Sequence, residues 1–172
     1  MPSSAIEIRA ARDADSDALC TLIASIFAEY EGVLFILDEM PELREIATAF
    51  QKAGGQFWVA ERDGEIVGCV GYSPTNGGEG IELKKLYVHG DLRRHGLGAR
   101  LVERVEEAAR ESGAAFVDLW SDVKFETAHR FYERRGYRRD GRTRELHDES
   151  DTVEYYFRKD LAPRGTRGPQ FD

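Results

Sequence analysis

Cysteine is scarce in this 172-residue chain: Cys20 and Cys69 are the two present, and they share no local motif. A disulfide framework is not the basis of the fold, and each thiol reads as a small buried hydrophobe. Histidine is almost as sparse. His89, His95, His129 and His147 lack the spacing that holds a metal, so no metal site is expected. No apolar run approaches the roughly 20 residues that a membrane helix needs, and no membrane partner is expected. Met1 to Asp15 offers neither an apolar stretch nor a small-residue cleavage pattern, so no signal peptide and a reduced, cytoplasmic location are expected. Positive charge is short overall: 24 Lys and Arg stand against 32 Asp and Glu, a net charge of −8, which argues against nucleic-acid binding.

What is present is the balance of a globular protein, with 41% hydrophobic and 33% charged residues. The length suits one domain with a sizeable core, taken as residues 1–161, and the stretch rich in Pro, Gly and Arg over 162–172 reads as a tail. Ile6, Ile8 and Ala10 alternate as in a strand. Asp13 is placed to cap a helix whose apolar face is Leu19, Leu22, Ile23, Ile26 and Phe27. A second helix is expected from about Pro41, with Leu43, Ile46, Ala47 and Phe50 inward and Gly54 and Gly55 ending it. Strands follow at Gln56–Glu61 and Glu65–Tyr72, joined by the tight turn Asp63-Gly64, and at Ile81–Val88, with Ile81, Leu83 and Leu86 toward the core. A helix carries Leu97, Leu101, Val102, Val105 and Ala109. Then come a buried strand at Ala115–Trp120, a short helix at Thr127–Arg135, and strands from Tyr137 and over Thr152–Arg158. The order β-α-α-β-β-β-α-β-α-β-β predicts a mixed α/β sheet with antiparallel hairpins and parallel crossovers.

Between Lys84 and Arg100 the charge reverses: Lys84, Lys85, Arg93, Arg94 and Arg100 face a single acid, Asp91. This segment leaves a strand, crosses a short loop and enters a helix at Gly96 and Gly98. A helix start has unpaired N–H groups and a partial positive charge, and glycine removes the Cβ atoms that would block a phosphate. A diphosphate on the backbone from about Arg94 to Ala99 is one reading. Close packing at a helix start is the other. Neither a Walker loop nor a dinucleotide fingerprint is present.

Arg93-x-x-Gly96-x-Gly98 resembles the Arg/Gln-x-x-Gly-x-Gly/Ala signature of the GNAT family of N-acetyltransferases. Leu83 to Val88 looks like that family's fourth strand, and Ala128-x-x-x-Tyr132-x-x-x-Gly136-Tyr137 is similar to its later motif. The resemblance covers roughly Ile6 to Arg158. It implies a mostly antiparallel central sheet flanked by helices, acetyl-CoA as co-substrate, and no metal. It also implies that the fourth and fifth strands splay apart to admit the pantetheine arm. Backbone groups at Leu86, Tyr87 and Val88 would meet that arm and the thioester, and Arg93, Arg94, His95, Gly96, Leu97, Gly98 and Ala99 would meet the diphosphate.

The resemblance places Tyr132 as general acid and Glu82 as base. Full proton transfer from a phenol (pKa ~10) to a thiolate (~8.5) is uphill by about 2 kcal/mol, so Tyr132 is better cast as a hydrogen-bond donor. An unperturbed Glu lies about 8 kcal/mol from an alkylammonium, so Glu82 needs a tuned pKa, a water relay or a partly neutral amine. Glu29 and Asp38 are rival bases or amine anchors. In one departure, Phe125 stands where many members carry Asn. Trp120, Tyr155 and Tyr156 read as core or pocket wall, and Glu145–Asp151 as a solvated acidic loop or, as the alternative, an attractor for a cationic substrate. The expected activity is acetyl transfer to a small-molecule or peptide amine. A non-catalytic acyl-CoA sensor of the same fold is the alternative, and a homodimer fits the family's habit. The acceptor is expected to be set by the first two helices, their connection over Glu31–Asp38, and the last hairpin.

Overall fold

The fold is taken from a computed structural model that describes residues 5–162. The tail expected from Ala162 lies, except for Ala162 itself, outside the described residues. The elements run β1 (Glu7–Ala10), α1 (Ser16–Phe27), α2 (Ile46–Lys52), β2 (Gln56–Arg62), β3 (Glu65–Pro74), β4 (Ile81–Val88), α3 (Leu97–Glu111), β5 (Phe116–Asp122), α4 (Glu126–Arg134), β6 (Arg138–Glu145) and β7 (Val153–Asp160). The expected order is present in full. Among the described residues, seven strands form one sheet in the order β1-β2-β3-β4-β5-β7-β6. Every neighbouring pair is antiparallel except β4 and β5.

Two apolar layers sandwich the sheet. Leu19, Leu22, Ile23 and Ile26 of α1 pack with Leu43, Ile46 and Phe50 onto Phe57, Val59 and Cys69. On the other face, Leu97, Leu101, Val102, Val105 and Ala109 of α3 meet Val70, Ile81, Leu83, Val117 and Leu119. Each fully buried aliphatic side chain contributes about 1.5–3 kcal/mol, so these stripes are what hold α1 and α3 in place. Leu86 is half-buried against the second layer rather than inside it. Cys69 is fully enclosed, which pushes its thiol up to about 12, and burial also raises Cys20. Neither is a ready nucleophile.

Two expectations need correction. The second helix is not continuous from Pro41: a 3-10 turn spans Pro41–Glu45, Glu45 leaves helical geometry (φ −140, ψ 69), and the α-helix starts at Ile46. Asp13 explains the restart. Its carboxylate accepts from the Thr48 N–H at 3.0 Å and from the Thr48 hydroxyl at 2.6 Å, so it caps α2 and not the helix that follows it. At the start of α1, the neighbouring Asp15 instead accepts from the Arg12 N–H and pairs with Arg9.

Strand β4 carries an irregularity. Val70 of β3 is faced by both Lys85 and Leu86, because the register shifts by one between Gly71↔Lys84 and Cys69↔Tyr87. Lys85 takes up the extra residue at φ +55. Ile81 and Leu83 therefore share a face with Leu86 and Val88, while Lys85 turns away to pair with Glu42 at 2.7 Å.

Candidate active site

Below the bulge, β4 and β5 are hydrogen-bonding neighbours at two positions, Ile81↔Val117 and Glu82↔Asp118. Beyond Glu82 they diverge, while β4 stays paired to β3 as far as Val88 and β5 stays paired to β7 as far as Asp122. The sheet is thus split along one line, and the backbone of Leu86, Tyr87 and Val88 borders the split.

The loop after β4 leads to the start of α3. It passes through two left-handed residues, Arg94 (φ +71) and Gly96 (φ +82). No side chain caps α3, and among the described residues the backbone donors from Arg94 to Ala99 have no acceptor. Gly96 is required by its φ; a Cβ there would meet nothing within 4 Å. A Cβ on Gly98 would sit 3.5 Å from the Phe131 ring, an ordinary contact. Packing therefore does not demand glycine at 98, which weakens the close-packing reading of the motif. Uncapped donors, an open approach and the nearby Arg94 and His95, both exposed, fit a diphosphate.

Arg93 is committed elsewhere. Its guanidinium makes a two-pronged contact with Glu29 at 2.7 and 2.6 Å, and its Nε donates to the Val88 carbonyl at 3.2 Å. Its positive charge is met by Glu29, so it ties the loop to the end of α1 and to β4. The same contact occupies Glu29, and Asp38, exposed, pairs with Arg44. The rival bases are thus already engaged.

A family model described as the Acetyltransferase (GNAT) family matches residues 21–137. The chain belongs to this family. A probable N-acetyltransferase of Mycobacterium tuberculosis, Rv2775, is 30% identical over 152 residues, covering 83% of this chain and 86% of its own length. The uncharacterized N-acetyltransferase YjgM of Escherichia coli is 31% identical over 129 residues, 72% of this chain and 76% of its own. Among solved structures, a GNAT-family acetyltransferase from Staphylococcus aureus superposes with a TM-score of 0.79 at 26% identity, over 92% of this chain and 100% of its own. The PaiA N-acetyltransferase of Thermoplasma acidophilum, solved with coenzyme A, shares the fold at TM-score 0.70 and 18% identity, over 91% and 99%.

The GNAT motif tyrosine, Tyr132, lies on α4 with its ring packed against Tyr137 and Phe157 at 5.8 and 5.7 Å. It is 5% exposed, and burial lifts its pKa well above that of a free phenol. Its hydroxyl has no hydrogen-bond partner among the described residues. Glu82 stands at the closed end of the split, half-buried, with the Lys84 ammonium 3.5 Å from its carboxylate. Among the described residues, no group of three or more His, Cys, Asp or Glu is arranged to hold a metal, and no helix is long and apolar enough to cross a membrane.

Phe125, at the position where many GNAT members carry Asn, joins an aromatic cluster: its ring lies 4.7 Å from Tyr30 and 6.2 Å from Phe27, which in turn meets Tyr87 at 5.7 Å. It packs the end of α1 against the start of α4. His129 is buried. Its Nε2 lies 2.9 Å from the Asp122 carbonyl, and burial lowers its pKa. It secures the end of β5.

Sequence reasoning overlooked the acidic side of β5 and β7. Asp118, Asp122 and Glu154 lie on the sheet face opposite Val117, Leu119 and Phe157, and burial raises Asp118 and Glu154. The available signal was the alternation Asp118-x-Trp120-x-Asp122 within a buried strand.

Proposed function

We propose that the chain transfers an acetyl group from acetyl-CoA to a primary amine by direct attack, without a covalent enzyme intermediate. The observation that carries this reading is the alignment of the β4–β5 split with an uncapped helix start. The split exposes strand backbone to the acyl arm, and the helix start offers N–H donors to the diphosphate. Membership of an acetyltransferase family and the coenzyme A complex of one fold relative support the same donor.

Attack by the amine on the thioester carbonyl places negative charge first on oxygen and then on sulfur as the C–S bond breaks. In this reading the Leu86–Val88 backbone donates to the oxygen, and Tyr132 meets the sulfur. Its raised pKa makes outright proton loss harder still than for a free phenol, so it serves as a neutral donor that stabilises the departing thiolate. Glu82, at the closed end of the split, accepts the proton released by the amine, directly or through water. No serine or cysteine nucleophile is needed.

The test is free-thiol release from acetyl-CoA across an amine library. Acceptor-dependent release is expected, and Tyr132→Phe should lower kcat at least about tenfold with little change in cofactor affinity. An unchanged kcat would remove Tyr132 from the chemistry, and absence of release with every amine would refute the reading.

A further inference from the structure

A pocket of about 390 Å³ opens beside Glu82 on the face of the sheet away from α3. Its floor is the cross-strand row Glu82 and Asp118, then Trp120 and Tyr156, whose rings lie 5.1 Å apart. Its rim carries Lys84 and Arg142. The irregular register of β6, with Gly141 at φ +87, brings Arg142 opposite Tyr156, and its guanidinium rests 3.9 Å above that ring.

Asp118 is 8% exposed. Its Oδ2 accepts from the Tyr156 hydroxyl at 2.8 Å, and its Oδ1 has no partner among the described residues. An orphaned buried carboxylate oxygen is destabilising, and its place in a pocket wall next to Glu82 points to a missing donor. The charges of the pocket select among donors. A dication would satisfy the two acids but face Lys84 and Arg142. A simple anion would suit the rim but meet Glu82 and Asp118. A molecule with an ammonium at one end and a carboxylate at the other matches both. Arg142 is available for the carboxylate, because its present partner is the exposed Asp140, in a pair that solvent screens.

We propose that this pocket binds the acceptor, and that the acceptor is a small zwitterion of the α-amino-acid class. Its ammonium lies between Glu82 and Asp118, its carboxylate meets Arg142, and its side chain covers Trp120. The inference rests on the acetyltransferase reading, and it adds a substrate class and two specificity residues, Asp118 and Arg142.

Matched pairs test it: L-phenylalanine against phenethylamine, and L-leucine against isoamylamine, differ in the carboxylate. In thiol-release assays each amino acid should exceed its amine in kcat/KM by at least tenfold. Calorimetric titration of the protein with coenzyme A present should show tighter binding of the amino acid. Arg142→Gln should shrink both preferences at least fivefold, and Arg142→Lys should recover part of them. Asp118→Asn should raise KM for both members of a pair. Turnover with equal or greater preference for the amines would overturn the zwitterion assignment and leave the acetyltransferase reading standing. A preference that survives Arg142→Gln would overturn the role of Arg142.

Discussion

Single residues carry the separation between stability and function most sharply. Gly98 lies in the first turn of α3, where alanine favours the helix by about 0.5–1 kcal/mol. A Cβ would touch the Phe131 ring without clash. Gly98→Ala should therefore raise the unfolding free energy slightly in denaturant titration and weaken acetyl-CoA binding at least tenfold by calorimetry. Equal affinity would mean that the glycine serves the helix alone. Asp118 makes the complementary case. Burial raises its pKa above the ordinary 3.8, so the native state holds the proton more tightly than the unfolded chain. Its contribution to stability is full at low pH and falls as pH rises through the folded value. Asp118→Asn, which keeps an acceptor for Tyr156, should stabilise the protein by on the order of 1 kcal/mol near pH 7. The gain should fade toward pH 3, as followed by thermal melts across pH. Glu82 and Tyr132 stand out in the sequence through the family resemblance, Glu82 by its place before Val88 on the fourth strand and Tyr132 by its place before Gly136. Asp118 does not, because the alternation Asp118-x-Trp120-x-Asp122 gains its meaning only from Glu82 one strand away.

At the scale of elements, the helices and strands could be read from apolar periodicity, and their number and order survive intact in the sheet. What could not be read were features decided by distant partners. Asp13 caps α2 across 35 residues of sequence, and the break at Glu45 has no local cause in the chain. The neutralisation of Arg93 by Glu29 spans 64 residues. The junction of β1 and α1 depends on another such contact: Arg9 holds the buried Asp15 with two hydrogen bonds at 2.8 and 2.9 Å and reaches Glu61 of β2. Arg9 keeps the Asp15 carboxyl below its ordinary 3.8, so this stabilisation is present above that value and is lost as pH falls through the depressed one. Arg9→Gln would strand Asp15 and should cost about 3 kcal/mol at neutral pH. Denaturant titrations at pH 7 and near pH 2 should show a large difference between variant and parent at the first and a small one at the second.

For the whole molecule, the split makes one sheet out of two half-sheets. β2 to β4 carry α1 and α2, whereas β5 and β7 have α4 against them, and α3 lies across the join. A ligand seated in the gap and on the start of α3 touches both halves, so it should stabilise the molecule as a unit. At a hundredfold excess over Kd, acetyl-CoA should add about 2.7 kcal/mol, or roughly 5–10 °C in Tm, with one unfolding transition. Two transitions that the ligand draws together would show instead that the halves melt apart. The bulge at Lys85 lies on the strand that borders this gap. Were that one residue deleted, Leu86 would fall into step with Ile81 and Leu83, and no other side chain of β4 would need to change sides. The sequence would then describe a flatter, more regular sheet in which β4 could run alongside β5 for its whole length. Deletion of Lys85 is expected to weaken acetyl-CoA binding while the fold is kept, as calorimetry and circular dichroism would read; unchanged affinity would show that the bulge has no part in it.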